Sequence, residues 1–242
     1  MQHLSLRPAL PKAAFITLLL ASSIACASVN KSIRVDDGAQ SDGHSTVNGS
    51  ITVGRDAVID GSLKTVNGTI RVDENTRLHT ATTVNGSIRL SAGVSARDIE
   101  SVNGSIDIGE NVTIDGVVSV VNGKIGIERG TSVQDSVSNV NGEIRIEGAE
   151  IGGNLETVNG DIWLTDNAHV GGNLVVEKPN SWGIRWKKEK KPRVVIGPGA
   201  RVTGDIVLER EVELYISETA AVSNVRGVMS LDDAVRFSGA RP

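Results

Sequence analysis

The tripeptide Val-Asn-Gly begins at Val47, Val66, Val84, Val102, Val121, Val140 and Val158. It therefore returns roughly every 18 or 19 residues; a unit this short cannot bury an apolar face by itself, and copies at one period must stack on each other to make a core. A degenerate eighth copy, Val29-Asn30-Lys31-Ser32-Ile33-Arg34, stands one period before the first. Within the repeat, aliphatic residues recur at about every sixth position, as in Val66, Val72, Leu78, Val84, Leu90, Ala96, Val102, Ile108 and Ile114, and again in Val158, Leu164, Val170 and Val176. Three such hexads fill one repeat. Between them, alternations such as Ile51-Thr52-Val53 and Ile144-Arg145-Ile146 have the period of a half-buried strand, and no 3.6-residue period persists. The pattern predicts an all-β fold: a single-stranded triangular β-helix, a β-solenoid of about ten turns of about 18–19 residues with one inserted loop.

Aromatic residues make up only 2% of the 242 residues, so the core of such a coil has to be thin and aliphatic. Asn-Gly at each corner suggests backbone in the left-handed region, which Gly and then Asn tolerate best. Stacked corners would set Asn48, Asn67, Asn85, Asn103, Asn122, Asn141 and Asn159 about 4.8 Å apart, within hydrogen-bonding reach as a structural ladder. Four of these also match the Asn-x-Ser/Thr glycosylation acceptor, but Lys124, Glu143 and Asp161 break that pattern while Asn-Gly stays. The feature kept is the turn.

The segment 1–26 carries Arg7 and Lys12, no acid, and an apolar run from Ala13 to Ile24 too short to span a bilayer, the pattern of a secretory signal. Two cleavage readings overlap there. Ala25-Cys26-Ala27 fits ordinary signal peptidase, whereas Ser23-Ile24-Ala25-Cys26 resembles a lipobox with Ser in place of the usual Leu and would lipidate Cys26, the chain's one cysteine. The repeat then occupies 29–176, an insertion 177–193, two further turns 194–227 and a non-repeating tail 228–242. The insertion holds seven basic and two acidic residues, while the remainder of the chain beyond Cys26 stands at −11.

The segment 194–227, with Gly197-Pro198-Gly199-Ala200 and Val202-Thr203-Gly204-Asp205-Ile206, resembles the bactofilins, and the same pattern runs more loosely from Val29 onward. Bactofilins are bacterial polymer-forming proteins built as triangular right-handed β-helices, so the resemblance implies a right-handed coil and association of solenoids. Bactofilins are typically cytoplasmic, and the export signal departs from that pattern. Hexapeptide-repeat acyltransferases also place an aliphatic residue every six, but the bulky Ile51, Ile70, Ile88 and Ile106 fit their left-handed coil less well.

An acyltransferase would need a His facing a cleft. His79 and His169 lie about five turns, roughly 24 Å, apart and cannot share a site. Paired acids such as Asp36-Asp37 and Asp232-Asp233 read as solvated turns. No catalytic residues, metal or cofactor are expected. Candidate binding residues lie in and beside the insertion: Trp163, Trp182, Trp186, Lys187, Lys188, Lys190 and Lys191. Basic residues interleaved with Trp suit anionic lipid or envelope glycan, and nucleic acid is not expected beside an otherwise acidic surface. Trp182 or Trp186 is expected to fold over Trp163 with the lysines projecting outward. The reading is therefore a non-enzymatic, self-associating envelope solenoid, end-to-end or lateral. The alternatives are a glycan- or lipid-binding envelope module and an acyltransferase of the hexapeptide class.

Overall fold

The computed structural model describes residues 29–179 and 190–242. One complete turn runs through the strands Ile106–Ile108, Thr113–Ile114 and Val118–Asn122. Each pairs in parallel with its counterparts one turn away: Ile106 with Ile88 and Ile125, Thr113 with Ser95 and Ser132, Val118 with Ile99 and Val137. Repetition of that pairing builds three faces. The first is an 11-stranded sheet from Ile33–Val35 to Val235–Phe237. The second and third merge into one 16-stranded sheet, because strands such as Val58–Asn67, Arg77–Asn85 and Arg201–Leu208 run around their shared corner.

The alternation of β-branched and polar residues decides which side chains meet. On the first face Ile51, Ile70, Ile88, Ile106, Ile125, Ile144 and Ile162 stack as one fully buried column, with Val53, Val72, Leu90, Ile108, Ile127, Ile146 and Leu164 beside it. The third face adds Leu63, Ala81, Ile99, Val118, Val137, Leu155 and Leu174. Phe237, on the last strand, is the only buried aromatic of the described residues. The extra residue of the longer turns is absorbed at corners: Ile59 pairs with Leu78, but Ser62 pairs with Thr80, one step short of the same interval, with a register shift between them. The aliphatic columns therefore never slip out of the core.

Two features differ from the sequence-based expectation. The first concerns the valine of Val-Asn-Gly, which the six-residue spacing places inward. It faces outward and is half-buried, while the residue before it enters the interior: Thr46, Thr65, Thr83, Ser101 and Thr157 are all buried. A hydroxyl suits this place because it meets a corner carbonyl of the preceding turn. Thr65 donates to Gly49 at 2.9 Å, Thr83 to Gly68 at 3.2 Å and Ser101 to Gly86 at 3.1 Å. Asn139 does the same through Nδ2 to Gly123 at 2.9 Å, which leaves its Oδ1 buried without a partner among the described residues.

The second concerns the corner glycine. Of the seven glycines of the motif only Gly142 has a left-handed φ, of 131°. What requires glycine is the turn below: a Cβ on Gly68, Gly86, Gly104, Gly123 or Gly160 would collide with the backbone carbonyl of the glycine one turn earlier. Left-handed backbone instead marks the corner after the first face, in a column of Gly38, Asp56, Asn75, Gly93, Asn111, Gly130, Gly148, Asn167 and Gly199. There Gly and the two residues that best tolerate positive φ exchange with one another.

The insertion leaves at the Asn-Gly corner between the third and first faces. Ile162 pairs with Val194 across the inserted segment, and the stack resumes in register on the far side. The tail contributes a 3₁₀ turn, Leu231–Asp233, and a last strand on the first face that pairs Tyr215 with Val235.

Candidate functional site

The asparagine corner is the most regular chemistry on the surface. Each Asn Nδ2 donates to the Oδ1 of the Asn one turn earlier: Asn48 to Asn30 at 2.7 Å, Asn67 to Asn48 at 2.7 Å, Asn85 to Asn67 at 2.9 Å, Asn103 to Asn85 at 3.0 Å. Asn122, Asn141 and Asn159 continue the series at 2.9, 2.8 and 2.9 Å. The last acceptor, Asn159 Oδ1, would be left open where the insertion departs. Arg210, reaching back from a later turn, closes it: its Nη1 donates to Asn159 Oδ1 at 2.8 Å and to the Val158 carbonyl at 3.2 Å. These amides are occupied with each other, which makes them structural groups and poor candidates for ligand contact.

On the outward side of the first face the register aligns Arg34, Thr52, Arg71, Arg89, Asp107, Gly126, Arg145, Trp163, Val195 and Tyr215. Gly126 opens a notch of about 360 Å³ in this row. Its rim carries a 3.4 Å pair of Arg89 with Asp107, together with Arg71, Arg145, Glu128 and Glu147. Donors and acceptors are present in balance, so the notch favours neither anions nor cations. Trp163 stands one turn beyond, with the Arg145 guanidinium 5.8 Å from its ring centroid, a cation–π contact. Its indole N–H is buried and has no partner among the described residues. Val195 faces outward between Trp163 and Tyr215 yet is only 1% exposed, and Arg193 lies 5.7 Å over the Tyr215 ring. An apolar patch thus begins at Trp163 and runs toward the last turn.

Trp182, Trp186, Lys187 and Lys188 lie outside the described residues, as does Cys26. The fold-back of a tryptophan over Trp163 therefore rests on the sequence argument. Lys190 and Lys191 are described, and both are engaged: Lys190 Nζ pairs with Asp161 at 3.1 Å and Lys191 Nζ with Glu211 at 2.7 Å. The Arg193 amide adds a 2.8 Å bond to Asp161. The base of the insertion is thereby tied to the rod by its own acids. His169 contacts Thr203 at 2.9 Å and Glu150 at 3.7 Å, and His44 contacts Ser41 at 3.0 Å. The histidines sit on different turns, and no group of His, Cys, Asp and Glu among the described residues could hold a metal ion.

Sequence reasoning passed over one acidic group. Where the valine column of the third face ends, the register continues with Glu177 and Glu209, and Glu156 stands beside them. Burial, and then the charges of Glu156 and Glu209, raise the Glu177 pKa above the ordinary carboxylate value. A raised folded-state pKa means that the folded chain binds this proton more readily than the unfolded one. Stability is therefore gained as pH falls through the raised value, and the gain is complete below the ordinary carboxylate range. Glu177→Gln should melt higher than the parent at pH 7 and lose that advantage at pH 4. Equal melting differences at the two pH values would refute the assignment.

No family model matches the chain, no curated protein matches it and no solved structure matches it.

Proposed function

We propose that this chain is a non-catalytic structural rod of the cell envelope, exported by its amino-terminal signal segment and working by association with further copies of itself. The observation that carries the reading is where the recurring side chains go. Asn meets Asn, Thr or Ser meets a corner carbonyl, and Gly admits the backbone of the turn below. These three recurring positions are spent between turns, as a scaffold requires and a catalytic cleft does not. The resemblance to bactofilins favours self-association, and Cys26 is the residue through which a lipid anchor would hold the rod at a membrane.

Electron microscopy and sedimentation of the purified protein without its signal segment test this reading. The expected particle is a rod whose eleven stacked strands span about 48 Å, joined to others in a concentration-dependent way. A monomer at every concentration would overturn self-association. Transfer of an acyl group from a thioester donor would overturn the non-catalytic reading.

A further inference from the structure

The valine of Val-Asn-Gly recurs as strictly as the asparagine, yet the core makes no use of it. Val47, Val66, Val84, Val102, Val121, Val140 and Val158 face outward, half-buried, and belong neither to the buried core nor to the partly buried residues packed on it. The pairing of Asn48 with Asn67, and of each later corner with the next, sets them side by side on the third face. Val29, one turn earlier and 65% exposed, extends the row to eight valines. Eight at the strand spacing make an apolar stripe about 34 Å long. Thr82, Glu100, Ser119, Ser138 and Glu156 form the outward row beside it.

We propose that the valine stripe is the surface through which a second copy of this chain docks, antiparallel, about a two-fold axis; the proposal rests on the self-association reading above and names its contact. Three observations fix the occupant. The stripe repeats at the interstrand spacing, and another copy offers a row of identical period along its whole length. The third face, about five residues wide and ten strands long, measures roughly 17 by 43 Å, or about 730 Å², within the range that each partner of a standard interface contributes. Charge then sets the direction. Glu156, Glu177 and Glu209 gather at one end of the outward face, with Lys178 and Arg210 at the corner beside them, whereas Lys31 and Lys64 lie toward the other end. Parallel docking in register would set Glu177 against Glu177, while antiparallel docking brings the acidic end to the lysine end. Counted with Glu177 and Glu209, which continue the valine row, the row has ten positions from Val29 to Glu209 and its midpoint falls between Val102 and Val121, so Val66 of one copy lies near Val158 of the other. The same surface met twice is an isologous contact, which closes at two copies.

Cross-linking decides this. In a Cys26→Ser background, Val66→Cys and Val158→Cys proteins are oxidised separately and as an equimolar mixture. The mixture should form a disulfide dimer at least tenfold faster than either protein alone. Rapid cross-linking of each variant by itself would overturn the antiparallel arrangement. Dimeric parent protein without any of these cross-links would place the contact elsewhere and leave self-association standing. A parent that is monomeric at all concentrations removes both. The triple change Val84→Thr, Val102→Thr and Val121→Thr keeps β-branching and shape, so its melting temperature should stay close to the parent's while the dimer dissociation constant rises at least tenfold. An unchanged constant would show that the stripe does not dock.

Discussion

Gly104→Ala is expected to lower the thermal midpoint by about 10 °C, a loss of more than about 3 kcal/mol, whereas Gly126→Ala leaves it within about 2 °C. Both are glycines of the repeat region, and the difference lies in what one methyl group would meet. At Gly104 it would strike the carbonyl oxygen and carbon of Gly86, with the Ser87 amide nitrogen at 3.1 Å behind them. All three are backbone atoms in the middle of a stack, and the Gly86 carbonyl also accepts from Ser101 at 3.1 Å, so no side chain can swing away to make room. At Gly126 the nearest atom is Asp107 Oδ1 at 3.8 Å, across open space. Alanine there also removes some of the backbone freedom of glycine in the unfolded chain, a small gain that offsets any local disturbance. Thermal melts of the two variants check this, and equal losses at both positions would contradict the close-approach account.

Asn103→Asp should cost about 2 kcal/mol at pH 7 and recover part of that loss below about pH 4. Asn103 uses both ends of its amide: Nδ2 donates to Asn85 Oδ1 at 3.0 Å, and Oδ1 accepts from Asn122 at 2.9 Å. Aspartate keeps the acceptor and replaces the donor by a second oxygen, which then faces the carbonyl of Asn85. One hydrogen bond is lost and two acceptors are opposed in its place. The neighbouring carbonyl favours the protonated acid, so the folded-state pKa of the new carboxyl is raised, and its protonation restores a donor as pH falls. Melts of parent and variant across pH 3–8 provide the measurement. A stability difference that does not narrow on acidification would show that the amides are neighbours without being bonded.

The period, the strands, the aliphatic columns and the place of the insertion were legible because each depends on spacing along the chain. The alignment of Asn48 through Asn159 was legible for the same reason. The side on which Val66 lies was not, because a count of six treats every aliphatic residue as interior. Strand alternation from Leu63 puts Thr65 inside, and a threonine is at home there only because the Gly49 carbonyl of another turn meets its hydroxyl. The role of Gly104 was hidden similarly, since a clash with Gly86 exists only once the turns are stacked. The left-handed column could have been found, because Asp56, Asn75, Gly93, Asn111 and Gly130 repeat at the same period with Asx and Gly interchanged. Arg210 had no local signal: it closes the ladder from beyond the insertion, far along the chain from Asn159. The stripe of valines was in plain view, and only the structure shows that the core leaves it over.

Every amide of the asparagine ladder points the same way, donor toward the amino-terminal end and acceptor toward the carboxy-terminal end. Their dipoles therefore add along the corner as peptide dipoles add along a helix, with the positive end at Asn30 and the negative end at Asn159. Arg210 places a cation at the negative pole, the same complement that a basic residue gives to the last turn of a helix. Turns that look alike are thus not electrostatically equivalent in their two directions, and the rod carries a compass needle along one corner. Two such needles side by side attract when they point in opposite directions and repel when they point in the same one. A pair of rods packed along the neighbouring valines would feel that preference down the length of the ladder.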